Sequence, residues 1–362
     1  MKANSSLPQL TSGVFMSQEE FLLIFDILMY YVRPPIIVLG LITNSLNILV
    51  FYKMGLKDSV NISFFALSLS DGLFILLAAL GAVCIVLQLA YQGLVGNLRW
   101  DMSLYDINSY IFWYAVTFYD TSMSITVFIA VVRCCCVAIP LKFKGVFTRS
   151  RTVVCIVGIT VSTVLTRLPT LITQEIVAQY DAINNRTVYR LRYTADRPQA
   201  IELNDIMNRT VLYWVAMVTM SICVVVLETN LRSASKFRRS CELQTQDKQA
   251  TPSDNKPAPQ SNRDARVVKM VILVTSLYLV LALPFMLYSL SRRLVPGLDL
   301  SGRYMRFFAV ITTLGGAFTY LNSSLNAFVY YHTSSGYKKI ALSSFRAVLC
   351  AMLKAFLEQE NI

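Results

Sequence analysis

Six polar side chains stand inside stretches of this chain that hydrocarbon would otherwise dissolve: Asn44, Asp71, Ser122, Asn322, Ser323 and Asn326. Asn322 and Asn326 lie one helical turn apart in Asn322-Ser-Ser-Leu-Asn-Ala-Phe-Val-Tyr330, where lipid would leave their amides unpaired. Asp71 sits in mid-stretch, and an ionisable group at the bilayer centre costs about 2.5–3.5 kcal/mol on insertion scales. If these groups converge, they offer one charge and several neutral oxygens to a hard monovalent cation and its waters. The plainer alternative is a hydrogen-bonded knot that only positions helices.

Positioning them is the task of seven apolar stretches, near 29–52, 61–90, 106–137, 152–177, 207–231, 267–290 and 305–331. Each reaches the roughly 20 residues that a helix needs to cross about 30 Å of hydrocarbon. The predicted fold is all-α, a seven-transmembrane helix bundle, with a short amphipathic helix after the seventh span. Residues 1–28 read as an extracellular tail, 29–333 as the bundle and 334–362 as the amphipathic helix and a short cytoplasmic tail. Within the bundle, 232–263 is rich in Gln, Asn, Ser and Pro and reads as a flexible cytoplasmic loop.

Composition agrees: 55% of the 362 residues are hydrophobic and 15% charged, against about 25% charged in a soluble domain. The net charge of +12 is read as basic loops facing anionic lipid, with nucleic acid excluded as a partner. Basic residues gather after the first, third and seventh spans (Lys53, Lys57, Lys142, Lys144, Arg149, Arg151, Lys338, Lys339), which places those faces in the cytoplasm and the amino terminus outside. The polar stretch Met1–Gly13 has no signal-peptide core, so the first span is expected to insert itself. The sequons at Asn4 and Asn185 then fall outside, where glycosylation occurs, while those at Asn61 and Asn322 fall in spans as chance matches. Cys350, ending the amphipathic segment, is a palmitoylation candidate or an idle thiol. One histidine, His332, leaves no zinc site or histidine-dependent catalytic dyad, and no enzyme is predicted.

From Gly40 to Tyr337 the chain resembles the rhodopsin-like (class A) G-protein-coupled receptors. The Asn322–Tyr330 run is similar to the end of that family's seventh helix, and the stretch from Phe51 to Asp71 looks like invertebrate, molluscan-type chemosensory or orphan receptors. The resemblance implies a plasma-membrane receptor that binds an extracellular small molecule or peptide and activates a heterotrimeric G protein by rearranging its helices. It implies no cofactor beyond an allosteric sodium ion, held with water by Asp71 and Ser122 among Asn44, Asn322, Ser323 and Asn326. Arg133, in Val131-Val-Arg-Cys134, matches the Asp-Arg-Tyr element, with Val132 for the acid and Cys134 for the tyrosine. That loss removes a restraint and implies raised basal activity; Asp264, twenty residues before Pro284, would supply the restraint or is a solvated loop acid. Tyr330 belongs with the activation residues, although Ala327 replaces the family's proline. Asn108 stands where the family has a disulfide cysteine, so the outer loop is expected to be less tethered.

Ala115 stands where amine receptors carry aspartate, and Tyr320 where opsins carry the retinal lysine; neither ligand suits this chain. Aromatics in the outer halves, among them Phe112, Tyr119, Phe285, Tyr288 and Tyr320, suit an apolar or aromatic ligand or serve simply as core. Asp120 and Arg167 are expected to pair, since either alone would be costly in the membrane. A transporter or channel built on the Asp71 cluster is the rival reading, weakened by the absence of an evident internal repeat.

Overall fold

A computed structural model describes residues 16–94, 102–138, 147–182, 185–246, 259–298 and 302–359. Helix α1 (Gln18–Asp26) starts from a capping box: Ser17 Oγ accepts from the Glu20 amide at 3.1 Å, and Glu20 Oε2 accepts from the Ser17 amide at 2.8 Å. A π-helical turn, Ile27–Val32, then leads into α2 (Arg33–Met54). Pro34 and Pro35 explain the wide turn, since each lacks a donor and crowds the carbonyl four residues back. The first helical rod thus begins well before residue 29. Gly55, at φ 89°, ends it in a backbone region that favours glycine.

The remaining helices are α3 (Ser59–Leu94), α4 (Leu104–Ala138), α5 (Arg149–Ile172), α6 (Arg197–Ile206), α7 (Tyr213–Gln246), α8 (Pro259–Leu294), α9 (Met305–Thr333) and α10 (Ser335–Gln359). A second π turn, Met207–Leu212, joins α6 to α7. Packing runs α2 on α3, α3 on α4, α4 on α7 and α8, α7 on α8, α8 on α9, and α9 back on α2; α5 leans on α3 and α4. Seven long helices therefore make a closed bundle. Six are long and apolar enough to cross a membrane by composition alone; α9 is the seventh. Its apolar character is diluted by the buried Asn322, Ser323, Ser324 and Asn326.

Helix α5 shows which solvent surrounds the bundle. It buries Thr152, Thr163, Arg167 and Thr170 and exposes Val154, Val157, Val161 and Leu165. A helix in water would invert that pattern; a helix in hydrocarbon requires it. This is a multi-pass membrane protein.

Two differences from the sequence reading stand out. Residues 174–177 were assigned to the fourth span, yet they start an antiparallel hairpin of β1 (Gln174–Asp181) and β2 (Arg186–Tyr193). Thr173 ends α5, and the β-branched and aromatic Ile176, Val177 and Tyr180 that follow suit a strand. The hairpin is also held to the bundle: Gln174 Nε2 donates to the Tyr110 carbonyl at 3.2 Å, and the Leu191 amide donates to Asp106 Oδ2 at 3.2 Å. Hydrogen bonds to α4 therefore do here what a disulfide would, in a hairpin whose sequence contains no cysteine.

A small apolar cluster joins Tyr288, Leu298 and Phe308, and two large ones fill the rest of the interior. One, at the hairpin end, includes Ile37, Phe74, Tyr119, Met123 and Tyr320. The other, at the basic end, includes Phe51, Phe64, Leu67, Ile125 and Tyr330. α10 docks on α2 there: Tyr337 Oη donates to Asn47 Oδ1 at 2.5 Å, and Lys53 Nζ to Ser344 Oγ at 3.0 Å. Phe345 faces outward, 67% exposed, as expected of a helix lying on a membrane surface.

Candidate functional site

Between the two clusters runs a polar layer. Asp71 falls between Leu67 and Phe74 on α3, Ser122 between Tyr119 and Ile125 on α4, and Asn326 between Tyr320 and Tyr330 on α9. Helical periodicity turns all three inward at one level. Ser122 Oγ donates to Asp71 Oδ1 at 2.6 Å, and Asn326 Nδ2 donates to Asp71 Oδ2 at 2.9 Å. One carboxylate, 0% exposed, thereby ties three helices together.

Asn44 brings in the fourth. Its Nδ2 donates to the Gly40 carbonyl at 3.0 Å and across to the Ser323 carbonyl at 2.9 Å. Gly40 makes that approach feasible, because a Cβ there would lie 2.6 Å from Ser324 Oγ on α9. Ser324 uses the same hydroxyl to donate to the Tyr320 carbonyl at 2.6 Å.

The layer holds unfilled acceptors. Asn44 Oδ1 and Ser323 Oγ are buried without a hydrogen-bond partner. Orphaned buried oxygens are rare in a finished core and suit water or a small cation. The donor set of one carboxylate with hydroxyl and amide oxygens fits a hard monovalent ion such as sodium. Among the described residues no cluster of His, Cys, Asp and Glu could hold a transition metal. Asn322 is also buried, but no hydrogen bond among the described residues ties it to Asp71.

The second buried charge network lies towards the hairpin end. Arg167 on α5 pairs with Asp120 on α4, their side chains 1% and 3% exposed. The same guanidinium donates to Asn204 Oδ1 on α6, to which Asn208 Nδ2 also donates at 3.0 Å. The pair was legible from its two charges. Asn204 and Asn208 were not singled out, although their one-turn spacing is the signal that marks Asn322 and Asn326.

At the basic end, Arg133 lies on α4 beside Ser59, Ser63, Phe64 and Thr152. Asp264 falls in the first turns of α8, and its side chain lies outside the described residues. Tyr330 is fully buried, its ring 5.1 Å from Phe51 and 5.2 Å from Phe64, with its hydroxyl unbonded.

The aromatic residues singled out for ligand contact are dispersed. Phe112 and Tyr320 line a cavity among α2, α3, α4 and α9, together with Arg33. Tyr288 lines another, beside Asp205, Arg209 and Arg292. Tyr119 packs on Phe74, and Phe285 on Tyr213 and Tyr288, within the core. Arg33 was missed; a lone arginine heading an apolar helix before two prolines was its signal.

Of the modification candidates, Asn4 lies outside the described residues. Asn185 is exposed at the turn of the hairpin with φ 48°, accepting from Tyr180 Oη. Cys350 is exposed and free. The sequon asparagine Asn61 is buried, donating to the Gly55 carbonyl at 3.1 Å, which suits a chance match.

No curated protein matches the chain. A family does: the one described as 7 transmembrane receptor (rhodopsin family) matches residues 43–330, a range that runs from the turn preceding Asn44 to Tyr330 and takes in the whole polar layer. With seven packed helices, an outer surface suited to hydrocarbon and that match, this chain belongs to the rhodopsin family of seven-transmembrane receptors.

Proposed function

We propose that this receptor sits in the plasma membrane with its amino terminus and hairpin outside. There it binds a small molecule or peptide and, by rearranging its helices, activates a heterotrimeric G protein at the basic end. The observation that carries this reading is the Asp71 layer, which bridges α3, α4 and α9 between two otherwise apolar clusters. Such a layer gives the bundle two alternative packings, because hydrogen bonds exchange partners more readily than interlocked aliphatic side chains. A ligand that favours one arrangement shifts the population towards it.

Asn44, Asp71, Ser122, Asn322, Ser323 and Asn326 are the residues that would hold a sodium ion and its waters, with Asp71 and Ser122 nearest its charge. Bound there, sodium supplies a positive charge that balances the Asp71 carboxylate. The polar layer favours the inactive arrangement when so filled. Arg133, with Tyr330 and Asp264, carries the change to the G protein. Phe112, Tyr119, Phe285, Tyr288 and Tyr320 shape the outer half for the ligand. Exposure at the hairpin turn supports Asn185 as a glycosylation acceptor, with Asn4 a second, and the exposed thiol of Cys350 supports its carrying a lipid chain.

The test is nucleotide exchange on purified G proteins by the full-length protein in lipid nanodiscs. Acceleration over empty nanodiscs is the expected result, lost in Arg133→Ala without a change in thermal unfolding. No acceleration of any G-protein class, or an Arg133→Ala protein as active as the wild type, contradicts the reading.

A further inference from the structure

The cavity between the hairpin-end halves of α2, α3, α4 and α9 encloses about 210 Å³. Its walls are mostly apolar, with Phe74, Leu77, Ala78 and Ile111 prominent. Among the described residues that line it, Arg33 carries the only charge.

Arginines at the ends of membrane helices ordinarily extend their heads outward to water or phosphate. Arg33 turns inward. Its Nη2 donates to Tyr320 Oη at 2.7 Å, across the cavity on α9, and Nη1 reaches Met29 Sδ at 2.6 Å. The guanidinium carbon lies 5.1 Å from the centre of the Tyr320 ring. Nε is buried with no hydrogen-bond partner. No carboxylate among the described residues pairs with this cation. Arg167 makes the contrast: fully buried in the bundle, it is matched by Asp120, whereas the half-buried Arg33 is not. A guanidinium held among apolar groups with donors to spare is suited to a planar anion that its fork can grip.

We infer that this cavity binds a small apolar monocarboxylate, its carboxylate on Arg33 and Tyr320 and its hydrocarbon or aryl body against Phe74, Leu77 and Ala78. The inference rests on the receptor reading and names the ligand class for it. A volume of about 210 Å³ falls below the roughly 300–1,000 Å³ of drug-sized pockets, which suits a small ligand such as a medium-chain or phenyl-substituted acid. Tyr30, Val86 and Phe112 at the rim are exposed on the flank of the bundle, so an amphiphile enters from the bilayer side. The carboxylate belongs either to a free acid or to the carboxy terminus of an apolar peptide.

The experiment is thermal unfolding of the full-length protein in neutral phosphatidylcholine nanodiscs, titrated with octanoate, 3-phenylpropionate, 1-octanol and N-acetyl-Phe-Leu as acid and as amide. Octanoate or phenylpropionate is expected to raise the midpoint at concentrations about tenfold or more below those octanol needs. Stabilisation by the peptide acid but not its amide, stronger than by the free acids, supports the site and assigns the carboxylate to a peptide. Arg33→Gln is expected to erase the preference for acid over alcohol, and Ala82→Leu, which fills the cavity and keeps Arg33, to weaken every ligand. Equal potency of octanoate and octanol, no shift with any acid, or acid responses unchanged by both variants would overturn the inference. Because binding is read directly, stabilisation without nucleotide exchange would count against the proposed function and leave the site standing.

Discussion

At Arg167 a buried guanidinium is tolerable only because Asp120 lies against it and Asn204 takes a further donor. Removing the acid alone is predicted to cost about 3–5 kcal/mol, since the cation stays buried and unpaired. Asp120→Asn should therefore unfold well below the wild type in a detergent melt, whereas the double variant Asp120→Leu with Arg167→Met should recover most of the loss. If the single variant melts like the wild type, the pair contributes nothing. Val132 makes a different kind of test. The resemblance places an acid there, and Val132→Asp is expected to lower ligand-free nucleotide exchange severalfold by restraining Arg133; unchanged basal exchange would reject that role. The charges were readable as a pair because hydrocarbon penalises either alone. Arg33 carries no such signal, because an arginine at the end of a membrane helix ordinarily reaches outward, and its inward turn to Tyr320 is visible only in the folded bundle.

Among the elements, the hairpin carries the clearest prediction. Its attachment to α4 runs through Gln174 and Asp106. The pair of changes Gln174→Ala and Asp106→Ala should raise amide hydrogen exchange across residues 174–193 and leave exchange in α3 and α9 alone. Protection unchanged in the hairpin would mean that its docking lies elsewhere. A second element-scale contact is Gly40 against α9, where a larger side chain must push the helices apart. Gly40→Leu is expected to destabilise by about 1–3 kcal/mol, the usual range for overpacking a filled core, as measured by thermal unfolding. The long helices were legible because apolar length is a direct readout of bilayer thickness. The hairpin was not, because Ile176 and Val177 extend the apolar run of the fourth span and the polar residues after them read as a link. The extension of the first rod to Gln18 was not legible, because Glu19, Glu20 and Asp26 interrupt the apolar run by which the span is read.

For the whole molecule, the span ends that carry Lys53, Arg149, Lys338 and Lys339 lie opposite the hairpin, and the Asp71 layer lies between two apolar clusters. The residues of that layer were legible one by one. Their meeting was not, because inward rotation of four helices to a single level is a property of the bundle rather than of any segment. We propose that this layer is a cation-sensitive joint between the outer cavity and Arg133. The most direct measurement replaces N-methylglucamine by sodium at constant ionic strength and follows thermal unfolding and G-protein nucleotide exchange together, in the wild type and in Asp71→Asn. The expected result is a sodium-dependent rise in unfolding midpoint and fall in exchange for the wild type, both absent in Asp71→Asn. A wild type indifferent to sodium, or an Asp71→Asn protein that responds as the wild type does, would contradict it.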